Sequence, residues 1–144
     1  MKPIRFRAYA DAGRCFWVEV RVFDTRGEMC RDIKRCCGRA YPHTAGQVTG
    51  ATKRRNGRKT GAFAIMWLNR KDINKDPSEI QAHEAFHAGM RYFERRGWPV
   101  CLHSETQDGA PDVHERSLEE RMAYAVGRIS RYVTRGLFRY GVWK

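Results

Sequence analysis

The chain has 144 residues, 42% of them hydrophobic, with 28 Lys+Arg against 16 Asp+Glu for a net charge of +12. That length and apolar content fit one packed domain over residues 1–144 and exclude a disordered chain. No stretch reaches the roughly 18 consecutive apolar residues of a membrane helix, and the opening MKPIRFRAYADAGR lacks the apolar centre of an export signal. The expectation is a cytoplasmic protein with no membrane partner and reduced, buried thiols at Cys15, Cys30, Cys36, Cys37 and Cys101. No CxxC spacing occurs among these, so a second, structural zinc is not expected. The positive charge attracts polyanions, but carries no address for nucleic acid over an acidic partner.

In chain order, Ile4–Tyr9 and Cys15–Phe23 read as strands around the turn Asp11-Ala12-Gly13. Trp17, Glu19 and Arg21 alternate there with Phe16, Val18, Val20 and Val22, a period of two with one apolar face. Thr25-Arg26-Gly27-Glu28 is a capping box. It opens a short helix with Met29, Ile33 and Cys36/Cys37 on one face and Gly38 as its stop. Asn56-Gly57 is the preferred pair for a type I′ turn, between a strand over 47–53 and the apolar strand Gly61–Asn69. Its flanks, Lys53, Arg54, Arg55, Arg58 and Lys59, form a basic tip that suits phosphate contact or plain solvation.

A long helix starts at Asp76-Pro77-Ser78-Glu79, with Asp76 as cap, Pro77 in the first position and Glu79 completing the box. It runs to about Arg96, before Gly97 and Pro99. A second long helix begins between Asp112 and Ser117 and ends near Arg135, before Gly136. The aromatic tail Leu137–Trp143 is expected to pack back. The fold class is therefore α+β: a small, mainly antiparallel sheet of about four strands, one short helix and two long ones.

The chemistry lies in His83-Glu84-Ala85-Phe86-His87. Residues four apart project from one helix face, so both imidazoles reach a single tetrahedral ion. Glu84 sits where its carboxylate can take a proton from a zinc-bound water, whose pKa the metal lowers to about 7. Such a site needs a third protein ligand. Glu120, with Glu119 beside it, is favoured over His103 and over Asp108 or Asp112. Ala123, Tyr124 and Gly127 share its face, and Ala88 and Gly89 are small on the His helix, so the two helices could approach closely there. The longer metzincin pattern is absent: Gly89 falls one place early and Phe93 stands where a third His is required. Tyr124, Tyr92, His103 and His114 are unranked candidates for stabilising an oxyanion.

The segment Ala82–Ala88, followed by Glu120-Arg121-Met122-Ala123-Tyr124-Ala125-Val126-Gly127, resembles small zincin-like proteins of bacteriophages. More distantly it is similar to gluzincin-like peptidases of the ImmA/IrrE type. The likeness covers roughly residues 60–130. It implies a minimal zincin with zinc on His83, His87 and Glu120, Glu84 as the base, and a protein or peptide substrate in the host cytoplasm. It also implies that Gly61–Asn69 borders the cleft and pairs with an extended peptide. Three functions follow as expectations: a zinc metallopeptidase, a zinc-stabilised binding or inhibitor module without turnover, and a DNA-associated protease similar to the SprT type. The last would recruit His103 and use the basic surface.

Overall fold

Alternation of valines with polar residues gives the first hairpin. In the computed structural model, Ile4–Tyr9 (β1) pairs antiparallel with Trp17–Phe23 (β2), from Ile4 opposite Val22 to Tyr9 opposite Trp17. The structure describes residues 2–39, 44–99 and 113–144, with side chains of the last segment from residue 117 onward. Val18, Val20 and Val22 are buried on one side of β2. Asp11 closes the turn, its two carboxylate oxygens accepting from the Phe16 N–H at 2.8 Å and the Cys15 N–H at 3.0 Å.

The capping box forms as expected at Arg26–Cys37 (α1). Thr25 Oγ1 accepts from the Glu28 N–H at 3.3 Å and donates to Glu28 Oε2 at 2.9 Å. Gly38, at φ 80°, supplies the left-handed stop. Next come Gly46–Gly50 (β3), the short arms Arg54–Arg55 (β4) and Arg58–Lys59 (β5), and Ala62–Asn69 (β6). Asn56 and Gly57 have φ of 51° and 76°, the positive pair a type I′ turn demands.

The main sheet runs β1-β2-β6-β3. β2 and β6 are parallel, and the two outer pairings are antiparallel. β6 is thus an inner strand, correcting the expectation that Gly61–Asn69 borders a cleft. Its run Ala-Phe-Ala-Ile-Met-Trp-Leu-Asn has no polar face, and all eight residues are buried. A strand of that kind needs cover on both faces and partners on both sides. The sheet's edge strands are β1 and β3, and β3 is the one that faces the histidine side of α3.

Arg70–Lys75 (α2) was not expected from sequence. Asn69 caps it, its Oδ1 accepting from the Asp72 N–H at 3.1 Å. Pro77–Arg96 (α3) has the anticipated bounds, with Pro77 first and Gly97 at φ 67° as the stop, although Asp76 makes no side-chain cap bond. Val113–Arg139 (α4) runs past Gly136. A Cβ on Gly136 would stand 2.3 Å from the Phe6 ring, so this glycine admits Phe6 and terminates nothing. The stop is Gly141 at φ 66°, where the Val142 N–H reaches back to Leu137 O at 2.9 Å. Val142 is buried, as a tail that packs back requires.

α3 and α4 cover one sheet face through Ala85, Ala88, Phe93, Ile129 and Val133, all buried with Val18, Val20 and Met66. α1 covers the other through Met29 and Ile33 against Ile65 and Trp67. Among the described residues no helix is long and apolar enough to cross a membrane.

Beneath α1 lies a buried ion pair. Asp32, 5% exposed, accepts at Oδ2 from Arg21 Nη1 at 2.7 Å and from Trp67 Nε1 at 2.8 Å, and Arg21 itself is 6% exposed. Burial pushes the Asp32 carboxyl up, but the hydrogen bonds from Trp67 and Arg21 outweigh it and hold the group below its usual value. Asp32→Ala would leave Arg21 and the Trp67 N–H without their shared acceptor, a loss of about 3 kcal/mol. Urea unfolding checks this; a change within about 0.5 kcal/mol of wild type would mean solvent reaches the pair.

Candidate metal and catalytic site

α3 presents His83, Glu84 and His87 on the side that meets the sheet edge. A cleft of about 500 Å³ separates the helix from β3, walled by Gly46, Gln47 and Val48 opposite Ile80, His83, Glu84, His87 and Arg91. His83 is exposed and His87 partly so. Their Nε2 atoms converge to 3.1 Å. Two zinc–nitrogen bonds of about 2.05 Å at a tetrahedral angle would place the nitrogens about 3.3 Å apart. The pair therefore fits two corners of one zinc site. Burial, with His83 and Arg91 nearby, holds the His87 imidazole below its ordinary value, which favours the neutral form a metal requires.

Glu84 lines the same cleft as the histidines and packs against Gly46 of β3. It is 5% exposed, and its Oε2 is buried without a hydrogen-bond partner. Burial pushes its carboxyl up to about 7. Gly46 makes the approach possible, because a Cβ there would lie 2.9 Å from Glu84 Cγ and 3.0 Å from Oε1. Sequence reasoning passed over Gly46, and a lone glycine opening a weak strand gave no signal for it. Arg91 was also missed, although it continues the four-residue spacing of His83 and His87. It is held by Glu94 through two contacts, at 3.0 and 2.9 Å.

The structure does not bring Glu120 to the histidines. α4 buries Leu118, Ala125, Ile129 and Val133, whereas Glu120, Ala123 and Gly127 are exposed and Tyr124 is 65% exposed. On a helix these four lie roughly opposite the buried stripe. The close approach of the two helices occurs elsewhere: a Cβ on Gly89 would meet Val126 Cγ2 at 2.6 Å and Met122 Sδ at 3.1 Å. Gln81 Nε2 donates to Ser130 O at 2.9 Å on the same side. That side of α3 is turned away from His83 and His87. The small residues Ala123 and Gly127 were assigned to a helix interface that is in fact built from Gly89 against larger side chains.

Glu119 is likewise exposed. His103, Asp108, Asp112 and the side chain of His114 lie outside the described residues. Among the described residues no group of three or more His, Cys, Asp or Glu forms a metal cluster. Tyr92 is buried in an aromatic group with Phe16, Phe63 and Trp98, away from the cleft. Cys15 and Cys36 are exposed, contrary to the expectation of buried thiols, and Cys30 and Cys37 are half-buried; all four are free. At the basic tip Lys53 pairs with Glu19, and Arg54, Arg55, Arg58 and Lys59 are exposed.

No protein-family model, curated protein or solved structure matches the chain. Its functional reading therefore rests on this geometry.

Proposed function

We propose that the chain is a zinc metallopeptidase of minimal zincin type, acting on protein or peptide substrates in the cytoplasm. The observation that carries this reading is the convergence of His83 and His87 Nε2 to 3.1 Å beside a buried, unpartnered Glu84 carboxylate. The cleft next to them is walled by the free edge of β3, on which an extended peptide can add a strand. Bound zinc would supply a Lewis acid that polarises a carbonyl and lowers the pKa of a water. Glu84, poised near neutrality, accepts a proton at Oε2 from the attacking water and passes it to the departing amine nitrogen. Water and one peptide bond are consumed; one carboxylate and one amine are formed. His83 and His87 would hold the ion, and β3 would align the scissile bond.

The test is cleavage of unfolded casein by protein stripped with chelator and then given one equivalent of zinc. Cleavage absent without metal and restored by it supports the proposal. Cleavage indifferent to chelator overturns it. Zinc that binds and stabilises the fold without any turnover would mark a binding module instead.

A further inference from the structure

A second constellation lies on α4, away from the cleft. Between Arg121 and Lys144 the sequence holds six Arg and Lys and no Asp or Glu. At about 100° per residue, Arg121, Arg128, Arg131, Arg135 and Arg139 fall within roughly a third of the helix circumference. Tyr124 and Tyr132 lie in the same arc, which contains none of the buried stripe. Four of these arginines are exposed and Arg128 is half-buried. None of the five pairs with a described carboxylate.

Arg121, Arg128 and Arg139 face rings instead. The Arg128 guanidinium lies 5.8 Å from the centre of the Tyr124 ring, and Arg121 lies 5.0 Å from Trp98. Arg96, at the end of α3, spans Trp98 at 4.6 Å and Phe16 at 5.1 Å. Arg14, in the β1–β2 turn, stands over both Tyr9 and Tyr132 at 5.8 and 5.9 Å. Arg95 donates to Thr60 O at 2.8 Å, which joins this surface to the base of the Asn56-Gly57 hairpin and its basic tip. Cations thus run from the hairpin, across the end of α3, and along about 27 Å of α4, with the rings of Phe16, Trp98, Tyr124 and Tyr132 among them.

We propose that this track binds single-stranded nucleic acid, its guanidiniums on phosphates and the faces of Tyr124, Tyr132 and Trp98 against unstacked bases. A duplex keeps its bases stacked and would leave Tyr124, 65% exposed, without a use. An anionic membrane would call for aliphatic side chains, of which the arc has none. An acidic protein would engage the charges and leave the rings idle. The proposal is independent of the metal site, which faces the other way on α3.

Fluorescence anisotropy with labelled dT20 tests it, against an abasic 20-mer of equal charge and a 20-bp duplex. Contacts to five phosphates predict an affinity for dT20 that falls about a hundredfold between 50 and 200 mM salt. Stacking predicts that dT20 binds at least about tenfold more tightly than the abasic strand, and that Tyr124→Ala removes much of that gap. The triple variant Arg128→Glu, Arg131→Glu, Arg135→Glu should lose dT20 binding, keep its melting temperature and keep zinc-dependent cleavage. Equal affinity for dT20 and the abasic strand, tighter binding to duplex, or a triple variant that still binds dT20 would each overturn the assignment.

Discussion

If the chain is the zinc peptidase proposed above, Glu84→Gln should lower peptide hydrolysis about a thousandfold while zinc is retained, and the metal-free variant should melt above wild type at pH 8. The first part follows from removal of the proton acceptor while His83 and His87 stay intact. The second follows from burial. The Glu84 carboxyl, near 4.5 in the unfolded chain, is pushed up to about 7 in the fold. A group whose folded pKa is raised favours the fold fully below its unfolded pKa, and loses that contribution as pH rises to the folded value. Metal-free wild type therefore gives up roughly 3 kcal/mol between pH 4.5 and 7.5, and the neutral amide gives up none of it. Melting curves in chelator across that range check the sign. Identical pH dependence in wild type and variant would show that water solvates Glu84, and would remove the argument for a strained base. The same burial that costs stability would tune Glu84 to accept a proton at neutral pH.

Glu84 also shows where sequence legibility ended. The His-Glu-x-x-His run, the bounds of the helix under it at Pro77 and Gly97, and the Asn56-Gly57 turn were all readable, because each is a local pattern with a local cause. Thr25 meets Glu28 three residues on, and Asn56 and Gly57 adopt positive φ by their own chemistry. The partner of Glu84 was not readable, since Gly46 is 38 positions earlier and matters only for the Cβ it lacks. Strand order was hidden for a related reason. The apolar run of β6 shows that both faces are covered, but the parallel pairing with β2 depends on where the intervening chain returns. Gly136 misled because a glycine near a helix end has two uses, and only the position of Phe6 separates them.

The structure places Glu120 on the solvent face of α4, a placement the sequence did not reveal, and zinc affinity would measure its consequence. His83→Ala should weaken zinc binding roughly a hundredfold, one ligand's share of the binding free energy of a structural site. Glu120→Gln should leave affinity within about twofold of wild type, the level of a group that touches no ligand. The reason is directional. α4 meets α3 through Val126 and Met122 against Gly89, and Glu120 projects from the opposite side of its helix into solvent. To reach the histidines it would have to turn α4 about its axis, withdrawing Ala125, Ile129 and Val133 from the core and exposing three buried apolar side chains. Competition with a chelating dye measures both variants, with His103→Ala beside them. Loss of zinc in His103→Ala and retention in Glu120→Gln would assign the third ligand outside α4. Equal loss in Glu120→Gln and His83→Ala would mean that α4 packs with its charged face inward, contradicting the core described above.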